Sequence, residues 1–389
     1  MPAKRYYSLD DYEQHARRFF PRPIYAYIAG GAETEAGLRD NLAAFTEYGF
    51  VTRMFAGVSQ RTQKTTLFGT EWSSPFGIAP MGMSALTAYR GDLVMARAAK
   101  AANIPFVMSG SSLIRMEEVV QENPQAWFQA YVPGEPERIL KLLDRVEAAG
   151  FKTLVVTADV PVSGNRENNQ RAGFSTPLRP TIRLALDGLT HPGWAFGTFL
   201  RTCLSHGMPH FENSQATRGA PILARNVLRD FGARDHLNWE HLALIRKRWT
   251  GCLIVKGVMH HDDALKVRDH GAQGLIVSNH GGRQLDGTVA PLRVLPGIAD
   301  AVGKDLTVMM DSGIRRGTDI LKAMALGAKF TFVGRPFNYA ASVAGERGLR
   351  DAITLLHEEI SRNMALIGIN SLAEMTPECM MRFTEGLRK

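Results

Sequence analysis

The chain has 389 residues, 45% hydrophobic and 22% charged, with no low-complexity tract, which excludes a disordered chain, a collagen, a coiled coil and a disulfide-held miniprotein. Lys and Arg outnumber Asp and Glu by 46 to 38, and this net charge of +8 suits an anionic ligand or surface. No basic run like those of nucleic-acid arms occurs, so no nucleic-acid partner is expected.

The N-terminal MPAKRYYSLDDYEQHARRFF has no apolar core, and the longest uncharged stretch, 72–89, is broken by Ser, Pro and Gly. Neither a signal peptide nor a transmembrane helix is expected. Cys203, Cys252 and Cys379 are widely spaced without a C-x-x-C pair; they suggest a reducing, cytoplasmic setting and no metal site. Ser8-x-x-Asp11 has the form of a helix N-cap box, and 24–29, stopped by Gly30-Gly31, reads as a second short helix. Residues 1–70 are therefore a helical preface.

Beyond it, short apolar runs rich in β-branched and aromatic residues recur at 76–80, 105–108, 127–131, 153–158, 252–257, 274–278, 306–310 and 329–334. Helical patterns separate most of them, at 91–102, 135–149, 262–270 and 317–326. Strands alternating with helices pair in parallel, and eight such units predict an α/β chain folded as one (β/α)8 TIM barrel within 1–389. The gap between the fourth and fifth runs, about 160–250, is too long for a simple connection and predicts an insertion or lid. Within it, 188–211 carries one charge, Arg201, and many large apolar residues; the stretch either packs as a lid or touches a membrane surface.

Active sites of such barrels are built at the C-terminal strand ends. Here these are Pro80-Met81-Gly82, Ser109-Gly110-Ser111, Gln129-Ala130-Tyr131, Thr157-Ala158-Asp159, Lys256-Gly257, the loop from Ser278 to Arg283, Asp311-Ser312-Gly313 and Gly334-Arg335-Pro336. The last two offer small residues beside arginines, where barrels of this kind bind phosphate; the bland alternative is a glycine turn with solvated arginines. Lys256, costly to bury unpaired, reads as a Schiff-base lysine, a structural ion pair or a cation beside a cofactor. His280, on a loop between Asn279 and two glycines, suits acid/base work, with Asp159 to hold the ring. Arg166 and Arg283 are a candidate clamp for a carboxylate.

The runs Ile254-Val-Lys-Gly-Val, Ser278-Asn-His-Gly-Gly-Arg-Gln-Leu-Asp286, Asp311-Ser-Gly-Ile-Arg-Arg-Gly-Thr-Asp319 and Gly334-Arg-Pro336 resemble the FMN-dependent 2-hydroxy-acid dehydrogenases and oxidases. Leu186-Asp-Gly, His191-Pro-x-Trp194 and His206-Gly-Met-Pro209 resemble the membrane-associated mandelate and lactate dehydrogenase branch. The resemblance implies His280 as catalytic base with Asp159 as its partner, Arg166 and Arg283 on the substrate carboxylate, and Tyr27 and Tyr131 hydrogen-bonding the substrate. For FMN it implies Pro80 and Gly82 near the ring, and Ser109, Gln129 and Thr157 on its polar edge. Lys256 would stand at the N1/C2 side with Ser278 nearby, and Asp311, Gly313, Arg315, Gly334 and Arg335 along the ribityl chain and phosphate. A cation near N1 favours electron arrival because reduced flavin is anionic there.

The sequence departs from that pattern at Met81, where relatives often have Thr or Val, and at Ser111 and Ser163, positions bulkier in glycolate oxidases. Smaller walls suit a larger substrate side chain. The expected activity is oxidation of an (S)-2-hydroxy acid, mandelate- or lactate-like, to the 2-oxo acid. Quinone, another acceptor or oxygen would reoxidise the flavin; the resemblance implies a homotetramer, either cytoplasmic or peripheral to the inner face of the cytoplasmic membrane. A phosphate-binding, aldolase-like lyase using Lys256 as a Schiff base is the rival reading.

Overall fold

The computed structural model describes residues 6–175, 181–224 and 234–383. Eight strands form one sheet: β1 Phe76–Ile78, β2 Val107–Ser109, β3 Trp127–Ala130, β4 Thr153–Thr157, β5 Cys252–Val258, β6 Gly274–Val277, β7 Thr307–Met310 and β8 Phe330–Val333. All pair in parallel, in the order β1-β8-β7-β6-β5-β4-β3-β2. The remaining gap is bridged where Ile78 meets Phe106 and the Ile78 N–H donates to the Pro105 carbonyl at 2.9 Å, so the sheet curls into a barrel.

Seven of the eight strands are shorter than the apolar runs that signal them, and β5, Cys252–Val258, is one residue longer than its run. Of the run 76–80, Ala79 and Pro80 already line the cavity at the barrel mouth, where proline has no N–H to give a ladder. Inside the barrel, Val107, Trp127, Val155, Ile254, Ile276, Met309, Phe330 and Phe332 pack together. A hairpin of Thr65–Leu67 and Thr70–Trp72 adds Leu67 and Trp72 to this cluster, with Phe68 against Trp127, the first residue of β3. It covers the N-terminal end and leaves the C-terminal mouth for chemistry.

Helix Leu9–Phe19 begins in a complete Ser8/Asp11 capping box and buries Leu9, Tyr12 and Ala16. Helix Arg22–Ala29 follows, then Ala36–Ala43, whose Asn41 exchanges two amide hydrogen bonds with Asn279 at 2.9 and 2.7 Å. The preface is thus bolted to the loop after β6. At the far end, Met380–Arg382 pairs antiparallel with Tyr48–Phe50.

The chain between β4 and β5 includes helices Glu167–Ala172 and Ile182–Leu189 and a continuous helical stretch over 192–206 with a π-helical turn at Ala195–Leu200. Trp194 anchors it by donating from Nε1 to the Leu86 carbonyl at 2.9 Å, and Arg201 lies 3.8 Å from the Tyr89 ring centroid. Asn213 holds the loop after β2, donating to the carbonyls of Ser112 and Ile114 and accepting from the Met116 N–H. The outward side is apolar, with Ile182, Leu186, Leu189, Phe196, Leu200 and Leu204 exposed, Ile182 by 82% and Leu204 by 78%. Among the described residues no helix is long and apolar enough to cross a membrane.

Candidate active site

A cavity of about 520 Å³ opens at the C-terminal mouth of the barrel. Its wall takes in Tyr27, Pro80, Gly82, Gln129, Tyr131, Thr157, Arg166, Lys256, His280, Arg283, Asp311, Gly313, Arg315, Gly334 and Arg335. Three other residues singled out in the sequence stand directly behind that wall. Asp159 contacts His280, Ser278 contacts Lys256, and Ser109 donates to Gln129 Oε1 at 3.1 Å. Sequence reasoning missed Phe174 and Phe211, which also face the cavity. Both come from the long insertion, and only the apolar character of 188–211 hinted at Phe211.

The loop after β6 is the least ordinary backbone of the site. His280, Gly281 and Gly282 have φ of +57°, +67° and +71° in succession. For histidine this region is strained, and such strain concentrates at functional loops. A Cβ on Gly282 would lie 2.6 Å from the Leu38 nitrogen, so only glycine lets the preface helix approach. The turn is pinned by Ser278 Oγ, which accepts from the His280 N–H at 3.1 Å, and by Ser312 Oγ, which accepts from the Gly281 N–H at 3.0 Å.

His280 Nδ1 lies 2.9 Å from Asp159 Oδ1, and Nε2 stands 3.5 Å from the Tyr131 hydroxyl on the cavity side. Burial pulls the imidazole pKa below its usual value, with Asp159 partly opposing. A lowered pKa favours the neutral ring, and in that form Nδ1 donates to the carboxylate and Nε2 presents a lone pair to the cavity. Burial works against the Asp159 charge too, but His280 and Lys256 outweigh it and keep the carboxyl below its ordinary range.

Lys256 donates to Ser278 Oγ at 2.7 Å and pairs with Asp311 Oδ2 at 3.2 Å, with Asp159 Oδ2 at 3.9 Å. Burial opposes its charge, yet the two carboxylates raise its pKa above the ordinary value. It is a fixed cation, the opposite of the free amine a Schiff base requires.

The arginines share the preface. Arg283 Nη1 donates to the carbonyls of Ile28 and Gly30, and Arg335 donates to the same two carbonyls and to Gly281 O. Arg166 reaches the Arg283 carbonyl at 3.1 Å and Gln284 Oε1 at 2.9 Å. Burial, then repulsion from Arg166 and Arg335, brings the Arg283 guanidinium down to about 9. Cations crowded this closely in a buried wall favour an incoming anion.

Two buried polar atoms, Gln129 Nε2 and Thr157 Oγ1, have no hydrogen-bond partner within the protein. Both residues line the cavity, one offering N–H and the other a hydroxyl, as the carbonyl and nitrogen edge of a flavin ring demands. At the opposite end Gly313, Arg315, Gly334 and Arg335 line a stretch where a helix begins at Arg335, a setting for phosphate. The residues present fit FMN.

The chain belongs to the FMN-dependent dehydrogenases, a family it matches over residues 16–382, and FMN is its cofactor. It is 38% identical over 377 residues to an L-lactate dehydrogenase of Ectopseudomonas mendocina (strain ymp), covering 96% of this chain and 98% of that one. An L-lactate dehydrogenase of Pseudomonas aeruginosa (strain LESB58) is 37% identical over 377 residues, covering 96% and 97%. Among solved structures it resembles the monotopic membrane protein (S)-mandelate dehydrogenase, with TM-score 0.90 and 33% identity over 98% of this chain and all of that one. A mandelate oxidase with benzoyl-formic acid gives TM-score 0.79 and 32% identity over 97% and 98%.

Proposed function

We propose that this enzyme oxidises an (S)-2-hydroxy acid to the 2-oxo acid, with His280 as general base. The observation that carries the reading is the His280–Asp159 pair, whose Nε2, 3.5 Å from the Tyr131 hydroxyl, faces a cavity walled by Arg166, Arg283, Tyr27 and Tyr131. The guanidiniums hold the substrate carboxylate, and the tyrosine hydroxyls orient the 2-hydroxyl toward His280 Nε2. The imidazole takes a substrate proton there, and Asp159 stabilises the imidazolium that results. Bound FMN supplies the two-electron acceptor. Lys256, held between Asp311 and Asp159, would be the fixed positive charge beside it, and Gln129 and Thr157 would hold its polar edge.

Phe174, Phe211, Met81 and Val160 make part of the wall apolar, while Ser111 and Ser163 are small. This supports a substrate with an aromatic or branched side chain over glycolate. Anaerobic mixing with (S)-lactate, (S)-mandelate, glycolate and longer hydroxy acids, followed by the same series on His280→Gln, tests the assignment. Flavin reduction is expected to fall by a factor on the order of 100 to 10,000 with FMN retained. A His280→Gln protein that reduces FMN at the normal rate would rule out the mechanism.

The exposed apolar row from Ile182 to Leu204 supports a peripheral contact with the membrane, which would bring the flavin near a quinone acceptor. Co-sedimentation with anionic liposomes is expected at low salt, and its absence would assign the row to protein packing.

A further inference from the structure

Arg234 lies in the long insertion, far along the chain from the strand ends that carry the chemistry, yet it is 4% exposed. Its N–H donates to the Pro161 carbonyl at 3.2 Å, two residues beyond Asp159, and its own carbonyl accepts from the Leu237 N–H at 3.1 Å. These bonds set the side chain over Tyr131, the guanidinium carbon 4.9 Å from the ring centroid. The Tyr131 hydroxyl is in turn 3.5 Å from His280 Nε2. Arg234 does not line the cavity, whereas Tyr131 does. The aromatic ring is thus sandwiched between a buried cation and the reaction space.

A cation over the face of a phenol acts in two ways. It fixes the plane of the ring, and it draws electron density from the π system, which makes the O–H a stronger donor and stabilises its ionised form. Both effects grow where water is excluded. Among the described residues, the charged or titratable groups around Tyr131 include Asp159 after β4, Lys256 on β5, Arg166 at the start of the insertion, Tyr27 from the preface and His280 after β6. Burial and Asp159 push the phenol up; Lys256 and Arg166 pull it down.

We propose that Arg234 is a positioning residue for the reaction, its guanidinium stacked on Tyr131 so that the phenol hydroxyl is held toward His280 and the substrate and donates more strongly. This rests on the site reading given above, and it makes the insertion part of the catalytic apparatus.

The test is a double-mutant cycle in the FMN-loaded enzyme with (S)-mandelate as probe, comparing wild type, Arg234→Met, Tyr131→Phe and the double variant, with Arg234→Lys as the conservative rescue. Arg234→Met is expected to slow anaerobic flavin reduction about thirtyfold, the worth of a desolvated cation–π contact, and to move the basic limb of the pH profile upward. Arg234→Lys should restore most of the rate. In the Tyr131→Phe background the same Met substitution should change the rate less than about twofold, since the hydroxyl it acts through is gone. An equal loss in both backgrounds would mean that Arg234 only braces the loop, and would overturn the proposal. An impaired Tyr131→Phe beside an unaffected Arg234→Met overturns it while leaving the site reading intact; an unimpaired Tyr131→Phe overturns both. Should Arg234→Met fail to fold, Arg234→Gln, which stays polar and removes the charge, is expected to show the same loss and the same non-additivity.

Discussion

Replacing Asp159 by Asn removes a charge while keeping an acceptor near the His280 Nδ1–H, so it isolates the electrostatic part of the dyad. With Oδ1 at 2.9 Å from Nδ1, the charge centres of carboxylate and imidazolium are about 4 Å apart, and at an effective dielectric of about 20 their attraction is about 4 kcal/mol. That is an upper bound, because Lys256 Nζ, 3.9 Å from Oδ2, already balances part of the same carboxylate. Flavin reduction in the Asn variant should therefore fall between about thirtyfold and a thousandfold. The pH profile supplies a second sign. Activity requires neutral His280 and is lost as pH falls through its pKa, which burial already depresses and Asp159 holds up. Without the carboxylate that pKa drops further, so the acidic limb must move to lower pH. Stopped-flow reduction under anaerobic conditions reads both. A loss below about threefold, or an acidic limb displaced upward, would refute the account of the dyad.

Three more outcomes follow from the geometry. Lys256→Met leaves Asp159 and Asp311 without their buried cation; flavin reduction should slow at least about tenfold and unfolding stability fall by about 3–5 kcal/mol, with FMN content at matched saturation changed less than the rate. Arg166→Met and Arg283→Met should each cost about 2 kcal/mol in kcat/KM for a hydroxy acid, and the wild type should discriminate against the corresponding amide; equal oxidation of acid and amide would dismiss the carboxylate clamp. Gly282→Ala, at φ +71° with a Cβ 2.6 Å from Leu38 N, should lose about 2 kcal/mol or more by urea unfolding, whereas Gly188→Ala, with open space around it, should be unchanged or slightly more stable.

The barrel was legible because its strands are buried on both faces and so read as continuous apolar runs, Thr153–Thr157 and Phe330–Val333 being the plainest. The hairpin at the barrel floor was not, because strands of three residues, Thr65–Leu67 and Thr70–Trp72, are too short to show a period. The cavity residues on strand ends could be picked out since the fold itself dictates where chemistry is placed. Phe174, Phe211 and Arg234 could not, since nothing in an insertion's sequence says which residues turn back over the mouth. Nor does sequence reveal that Arg283 and Arg335 both reach the carbonyls of Ile28 and Gly30; those bonds join segments about 250 to 310 residues apart and exist only once the chain is folded.

The placement of β1 beside β8 has a consequence for how the molecule is made. Phe76 pairs with Thr331, so the first strand of the ring waits on one edge until the ribosome has delivered the last. The Asn41–Asn279 bonds impose the same delay on the loop that carries His280. During synthesis the chain exposes an unsatisfied parallel edge for most of its length, and loop-closure entropy makes the final pairing slow. Lower temperature during expression should therefore raise the yield of native enzyme, because it weakens aggregation of the exposed edge while the last strand is awaited.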